Sequence, residues 1–163
     1  MRGPDSKELQ RLADTVLAEV PLDVIQLHGS ETPDRVAAIR ARAGLPVMKA
    51  VAVERAADVT EARAYAASAD HILFDAKARP DAALPGGNGV AFDWLTLKGF
   101  AAPFALSGGL TPDTVGEAIR LTGAALVDVS SGVERAKGEK DAELVKRFIQ
   151  AAKSATAARA KAS

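Results

Sequence analysis

The sequence predicts an α/β fold built on a parallel sheet, and two observations carry that prediction. Short apolar runs recur along the chain, and their near-continuous apolarity is typical of strands buried on both faces of a parallel sheet. Segments of helical period separate these runs, so strand and helix alternate as they do in repeated βα units. The predicted strands span residues 22–27, 47–53, 71–74, 103–106 and 125–129.

Capping residues mark the ends of two predicted helices. Thr32-Pro33 and Thr111-Pro112 each place a hydroxyl at the N-cap and a proline at the first helical position. Gly44 and Gly123 follow these helices, where a left-handed C-cap favours glycine. Each pair of signals therefore brackets one helix between two strands.

Two more helices are expected near the ends of the chain. Residues 6–19 carry an apolar stripe at helical spacing. Asp141 can cap a last helix over residues 142–153, after which the alanine- and lysine-rich tail is expected to fray from Ala155. Neither the composition nor a linker divides the chain, so residues 1–163 are expected to form a single domain.

Composition narrows the partners that the chain can have. Apolar residues make up 48% and charged residues 26%, while 21 basic and 21 acidic side chains cancel. No net field therefore attracts nucleic acid or an acidic membrane surface, and no apolar run approaches the roughly 20 residues that span a bilayer. A cytoplasmic protein is the default expectation. The absence of cysteine excludes disulfides, thiolate metal sites and a cysteine nucleophile within this chain.

Two glycine-rich turns follow neighbouring predicted strands. Ser107-Gly108-Gly109 and Ser130-Ser131-Gly132 offer backbone N–H groups together with hydroxyls. Such donors make an anion-binding nest, and the carboxyl ends of parallel strands bring their loops to one edge. The two loops are predicted to bind a phosphate group. The alternative is that the glycines only make tight βα turns.

Three side chains at strand ends are candidates for chemistry. Asp75 ends its strand, and partial burial among apolar neighbours would let it hold a proton as a general acid; capping or fixing a loop is the alternative. Asp128 lies in a strand pattern where a carboxylate is costly without partners, which favours a functional role. His28 could bind a ligand or hydrogen-bond a neighbouring loop, and the structural role is favoured for a lone histidine.

A longer loop contains Gly86, Gly87 and Gly89 and is followed by the segment Phe-Asp-Trp at 92–94. Such a loop could close over a ligand, or it could be a plain connector.

Five segments taken in order resemble the phosphoribosylanthranilate isomerase family. They are Asp-Val-Ile-Gln-Leu-His-Gly at 23–29, Leu-Phe-Asp-Ala at 73–76, Pro-Gly-Gly-Asn-Gly with Phe-Asp-Trp at 85–94, Leu-Ser-Gly-Gly-Leu at 106–110 and Val-Asp-Val-Ser-Ser-Gly-Val-Glu at 127–134. The resemblance implies a TIM (β/α)8 barrel and an Amadori rearrangement of a phosphorylated sugar, with neither metal nor organic cofactor.

The same resemblance assigns roles to residues. Asp75 is implied as the general acid, and Asp128 as a carboxylate beside the substrate. The phosphate cradle is implied to be formed by Ser107, Gly108, Gly109, Ser130, Ser131 and Gly132, and further substrate contacts are expected from His28, Gly86, Gly87 and Gly89.

The chain lacks two motifs of the family pattern. The family's base is a cysteine in a Cys-Gly-Leu/Ile-Thr motif after the first strand, and an arginine after the second strand orients the substrate; neither motif is present. The resemblance begins at the family's third helix. We therefore expect an incomplete barrel of about five parallel strands that is inactive alone and associates through its exposed edges.

Other interpretations stay open at this stage. Indole-glycerol-phosphate synthase and pentose-phosphate epimerases share the two glycine loops, although Lys49 is the sole candidate for a synthase lysine. A non-catalytic phosphate binder or a complementing fragment is a different class of function. A flavodoxin-like sheet of five strands is the structural rival.

Overall fold

A computed structural model of the chain describes Thr15 and residues 19–76 and 94–162, with side chains to residue 158. Its centre is a five-stranded parallel sheet with the strands in chain order. The strands are β1 (Ile25–Leu27), β2 (Val47–Val53), β3 (His71–Ala76), β4 (Phe104–Ser107) and β5 (Leu126–Val127). All five predicted strands are confirmed. The edge strands β1 and β5 are shorter than predicted, because each pairs with one neighbour only.

The strand order excludes the flavodoxin-like alternative. That fold places its first two strands in reversed order, 2-1-3-4-5, whereas this sheet runs β1-β2-β3-β4-β5. A sequential order is what successive βα units give when each new strand is added beside the last, as in a barrel. Among the described residues the sheet stays open, with β1 and β5 as its edges.

Four α-helices are described, and their bounds are α1 (Pro33–Ala43), α2 (Ala56–Ala62), α3 (Val115–Thr122) and α4 (Ala142–Ala162). Short 3-10 segments lie at Arg63–Tyr65, Trp94–Leu97 and Ser131–Val133, and a small hairpin is formed by β6 (Glu134–Ala136) and β7 (Glu139–Lys140). The predicted helix at 6–19 lies mostly outside the described residues. Thr15 and Glu19 are helical. No helix in the described ranges is both long and apolar enough to cross a bilayer.

The capping predictions were right at four helix ends and wrong at two. Gly123 adopts the predicted left-handed C-cap of α3, with φ of 76°. The Arg35 N–H donates to Thr32 Oγ1 at 3.3 Å, and Gly44 adopts a left-handed C-cap with φ of 64°. Asp141 Oδ1 caps α4 by accepting from the N–H groups of Glu143 and Leu144. The helix at Thr111-Pro112 was placed too early, because Thr114 Oγ1 accepts the Thr111 N–H and makes a turn before α3.

The second error concerns the end of the chain. The helix α4 runs unbroken to Ala162, so the predicted fraying from residue 155 is not seen. Ala155 is buried in the main core, which explains why the helix continues past Lys153. The alanine-rich composition also favours the helical state.

The core fills the space between the sheet and the helices. Phe74, Phe100 and Phe104 meet edge to face, with ring centroids 5.0–5.9 Å apart. The register places Phe74 beside Leu106, so both side chains lie on the helix-covered face. Since side chains alternate along a strand, Asp75 and Ser107 lie on the opposite face.

Candidate active site

The carboxyl edge of the sheet brings the predicted polar residues together. Asp75 of β3 is in register with Ser107 of β4, so both end their strands at the same level. Asp128 follows β5, and its N–H donates to the Leu106 carbonyl at 2.9 Å. The Ser107 hydroxyl donates to Asp128 Oδ2 at 3.1 Å. These three side chains therefore lie on one rim.

The turn after β4 has the shape of an anion nest. Gly108 and Gly109 both have positive φ, 90° and 64°, which side-chain-bearing residues rarely adopt. Within the described ranges, their N–H groups donate to no assigned backbone or side-chain acceptor. Two adjacent glycines in this conformation leave their N–H groups available to a bound anion.

The turn after β5 packs directly against the turn after β4. A Cβ atom built on Gly132 would lie 1.8 Å from the Leu110 carbonyl oxygen. Only glycine allows this approach, so Gly132 is required for contact between the loops. The N–H groups of Ser131 and Gly132, at the start of the 3-10 turn, have no assigned acceptor in the part of the chain that the structure describes. The two predicted loops are thus neighbours.

Sequence reasoning missed Lys140, which lies beside the second loop. Its Nζ donates to the Ser130 carbonyl at 2.8 Å, to Ser130 Oγ at 3.2 Å and to Glu134 Oε1 at 2.7 Å. The hydrogen bond from Lys140, followed by that from the Gly138 N–H, lowers the pKa of Glu134 below its ordinary value. The glycine at position 138, between Glu134 and Lys140, is the hairpin signal that could have found this residue.

Asp75 is more exposed than the sequence predicted. The expectation of partial burial was wrong, because the apolar neighbours Phe74 and Leu106 point to the helix-covered face while Asp75 points away from it. No hydrogen bond to Asp75 is assigned within residues 19–76 and 94–162. Its role as proton donor stays a prediction that rests on position alone.

His28 ends the strand at the far edge of the sheet and is exposed. The ends of three strands, β2, β3 and β4, separate it from the Ser130 loop in strand order, so it is not part of the cluster around Ser107. Its neighbour Gly29 is held tightly: the Gly29 N–H donates to Glu31 Oε1 at 3.2 Å, and Lys49 Nζ donates to the Gly29 carbonyl at 2.8 Å. The predicted contacts Gly86, Gly87 and Gly89 lie outside the described residues.

Lys49 points to the wrong face for the synthase alternative. It is in register with Ile72, whose side chain belongs to the core, and its Nζ is 3.0 Å from Glu31 Oε2 and 5.6 Å from the centre of the Tyr65 ring. Asp75 and Ser107 lie on the opposite face. A lysine directed at the helices and bound to Glu31 is not placed to meet a ligand at this rim.

Comparisons with known proteins identify the family of this chain. Residues 9–151 match the family model described as N-(5'phosphoribosyl)anthranilate (PRA) isomerase. The N-(5'-phosphoribosyl)anthranilate isomerase of Paramagnetospirillum magneticum is 57% identical over 142 residues, covering 86% of this chain and 66% of the relative. That of Paracoccus denitrificans is 59% identical over 149 residues, covering 90% of this chain and 67% of the relative.

Solved structures give the same result. The phosphoribosyl anthranilate isomerase of Thermotoga maritima is 34% identical with a TM-score of 0.72, covering 94% of this chain and 71% of that one. A phosphoribosyl anthranilate isomerase in complex with reduced 1-(o-carboxyphenylamino)-1-deoxyribulose 5-phosphate is also 34% identical, with a TM-score of 0.71 and coverage of 91% and 68%.

The chain spans about two thirds of the length of the curated relatives that it matches. These relatives match most of this chain, and they do not support the expectation that a catalytic segment is missing. Whether the chain is active alone stays a prediction. The family model matches most of the chain, and relatives of that name exceed 50% identity: the chain belongs to the phosphoribosylanthranilate isomerase family.

Proposed function

We propose that this chain takes part in the isomerisation of N-(5-phosphoribosyl)anthranilate to 1-(2-carboxyphenylamino)-1-deoxyribulose 5-phosphate, a step of tryptophan biosynthesis. The observation that supports the proposal is the contact between the two glycine loops, next to the Ser107–Asp128 hydrogen bond. The N–H groups of both loops have no assigned acceptor within the described residues. Support also comes from the isomerases to which the chain is similar.

The phosphate group of the substrate would be held by the N–H groups of Gly108, Gly109, Ser131 and Gly132. Backbone donors that are fixed before binding need no reorganisation when an anion arrives. The Asp128 carboxylate has the same charge as phosphate and would repel it, so we assign Asp128 to the ribose hydroxyls. The hydrogen bond from Ser107 keeps Asp128 turned along the rim.

Asp75 would donate a proton to the ring oxygen of the ribose. Protonation there lets the C1–O bond break, and the lone pair of the anthranilate nitrogen forms a Schiff base. A base then removes the proton at C2, and the resulting enolamine tautomerises to the ketone. A positioned acid contributes roughly 10²–10⁴-fold to such a step. The chain contains no cysteine, so a thiolate of this chain cannot be the base.

Binding and conversion test the proposal separately. We expect the purified chain to bind reduced 1-(o-carboxyphenylamino)-1-deoxyribulose 5-phosphate in isothermal titration calorimetry. Ser131→Asp, which adds a carboxylate to the nest, should weaken binding by roughly tenfold or more. Ser30→Asp adds the same charge to an exposed position after β1 and is the matched control. Equal affinity of the Ser131 variant and the parent chain would refute the assignment of the loop.

Conversion is measured by chromatography of substrate and product. Where the parent chain converts the substrate, Asp75→Asn should lower kcat by roughly 10²-fold or more with little change in affinity. Asp23→Asn removes an exposed carboxylate at the opposite end of the sheet and should leave kcat unchanged. Tight binding without any conversion would instead favour the non-catalytic or complementing role.

Two finer expectations belong to this proposal. A cytoplasmic location follows from the biosynthetic role that the family implies. Self-association is expected because β1 and β5 are edge strands, and Leu126 on β5 is 51% exposed. Size-exclusion chromatography at several concentrations tests it, and a monomer at every concentration would contradict it.

A further inference from the structure

The hairpin after the second glycine loop carries a lysine that contacts both the loop and the first strand of the hairpin. Lys140 Nζ has three N–H donors and three oxygen partners, the Ser130 carbonyl, the Ser130 hydroxyl and Glu134 Oε1. The hairpin itself is fixed to the loop, since the Asp141 N–H donates to the Val133 carbonyl at 2.8 Å. Lys140 is therefore held in place at both ends of its side chain.

The contact with the Ser130 carbonyl determines which way the next N–H points. The peptide between Ser130 and Ser131 is planar and trans, so its C=O and N–H point in opposite directions. With the carbonyl turned toward Lys140, the Ser131 N–H must point away from Lys140. That N–H is one of the donors without an assigned acceptor in the described part of the chain.

We propose that Lys140 is a positioning residue for phosphate binding: it holds the Ser130–Ser131 peptide so that the Ser131 N–H faces the anion. The inference rests on the proposed function, because it concerns the same loop. Lys140 itself does not touch the phosphate, since its three donors are already engaged.

Orientation, and not long-range attraction, is the larger effect. Glu134 lies 2.7 Å from the Lys140 ammonium group and neutralises most of its field at a distance. Removal of Glu134's charge alone should therefore leave phosphate affinity unchanged or raise it, whereas removal of the lysine should lower it. A purely electrostatic role would instead predict a similar loss on removal of Arg135, which has the same charge on the same hairpin.

The test uses the full chain and inorganic phosphate, with affinity measured by ³¹P NMR titration. Lys140→Met should weaken phosphate binding roughly three- to tenfold, Lys140→Arg should restore part of the loss, and Glu134→Gln should bind at least as well as the parent chain. Arg135→Met is the matched control, because Arg135 has the same charge on the same hairpin but pairs with Glu139. Its affinity should equal that of the parent.

A second measurement needs no ligand and separates the two proposals. Loss of the Lys140 contact should free the Ser130 carbonyl, and the Val133 N–H that donates to it should then exchange faster with solvent in Lys140→Met. A parent chain that binds no phosphate refutes the proposed site, whatever Lys140 does. Unchanged phosphate affinity together with unchanged Val133 exchange in Lys140→Met overturns the role of Lys140.

Discussion

Replacement of Lys49 by methionine tests the buried charge pair behind the sheet. Lys49 has a side chain only 4% exposed, and all three of its donors are used, by Glu31 Oε2 at 3.0 Å, the Gly29 carbonyl at 2.8 Å and the Ala50 carbonyl at 3.0 Å. Methionine fills nearly the same volume, so packing changes little. The variant therefore isolates the loss of one buried ammonium group.

The size of the effect follows from the burial of the partner. Breaking a fully buried ion pair costs about 3–5 kcal/mol, because the remaining charge has no partner. The Glu31 side chain is 23% exposed and keeps the Gly29 N–H as a donor, so water and backbone replace part of what is lost. We expect the free energy of unfolding to fall by about 2–3 kcal/mol.

Urea denaturation with linear extrapolation measures this loss. Asp70→Asn is the comparison, because the ion pair of Asp70 with Arg40 links α1 to the same strand but is more exposed, with 46% of the Arg40 side chain accessible. We expect this change to lower the free energy of unfolding by less than about 1 kcal/mol. The double variant Glu31→Leu/Lys49→Met should cost less than the sum of the two single changes. Additive costs, or a Lys49→Met chain as stable as the parent, would refute the reasoning.

Two further predictions concern acid and the glycine loop. Burial raises the pKa of Glu31, but the hydrogen bonds from Lys49 and from backbone N–H groups, together with the charge of Lys49, outweigh burial and lower this pKa. The hydrogen bond from the Val47 N–H, followed by the hydrogen bond and charge of Arg40, lowers the pKa of Asp70. The stabilisation by these two carboxylates is fully present above the ordinary carboxyl pKa of about 4. It is lost as the pH falls through their lowered pKa values in the folded protein. The urea concentration at the midpoint of unfolding should therefore decrease as the pH falls below about 4, and the decrease should be smaller in Glu31→Gln. Gly132→Ala should destabilise the chain by about 1–3 kcal/mol and lower its Tm, because the added Cβ would overlap the Leu110 carbonyl. Gly116→Ala, in the helix α3, is the control and should be neutral or stabilising. An unchanged Tm in Gly132→Ala would contradict the loop contact.

Local sequence predicted the central strands better than the edge strands. The run at β2 matched at both ends, because a strand paired on both sides must be apolar throughout its length. The edge strand β5 covers two residues of a predicted five, since it pairs only with Ala105 and Leu106 of β4 and has no second neighbour among the described residues. The start of α3 was missed because Thr114 Oγ1 accepts the Thr111 N–H and residues 112–114 form a turn before the helix.

The candidate site was predictable where backbone chemistry depends on residue type. Glycine and serine after neighbouring strands identified both loops, because the positive φ of Gly108 and Gly109 and the close approach at Gly132 both favour glycine. Asp75 is exposed because it lies on the face of the sheet opposite to the helices. Which face the helices cover is set by tertiary packing and cannot be read from the local sequence. The contact of Lys140 with the Ser130 loop is also tertiary: the hairpin signal at Gly138 indicates a turn, but not that Lys140, ten positions after Ser130, contacts that residue.

The polar contacts at the two ends of the sheet constrain different things. At the amino end, Asp70 joins Arg40 to the Val47 N–H, which are parts of a helix and a strand. At the carboxyl end, Lys140 donates to the loop carbonyl of Ser130. A loop carbonyl that is held fixes the N–H that follows it, so changes at this end should alter ligand binding as well as stability. Changes at the amino end should alter stability alone, and this separation is what a site built at one rim of a parallel sheet requires.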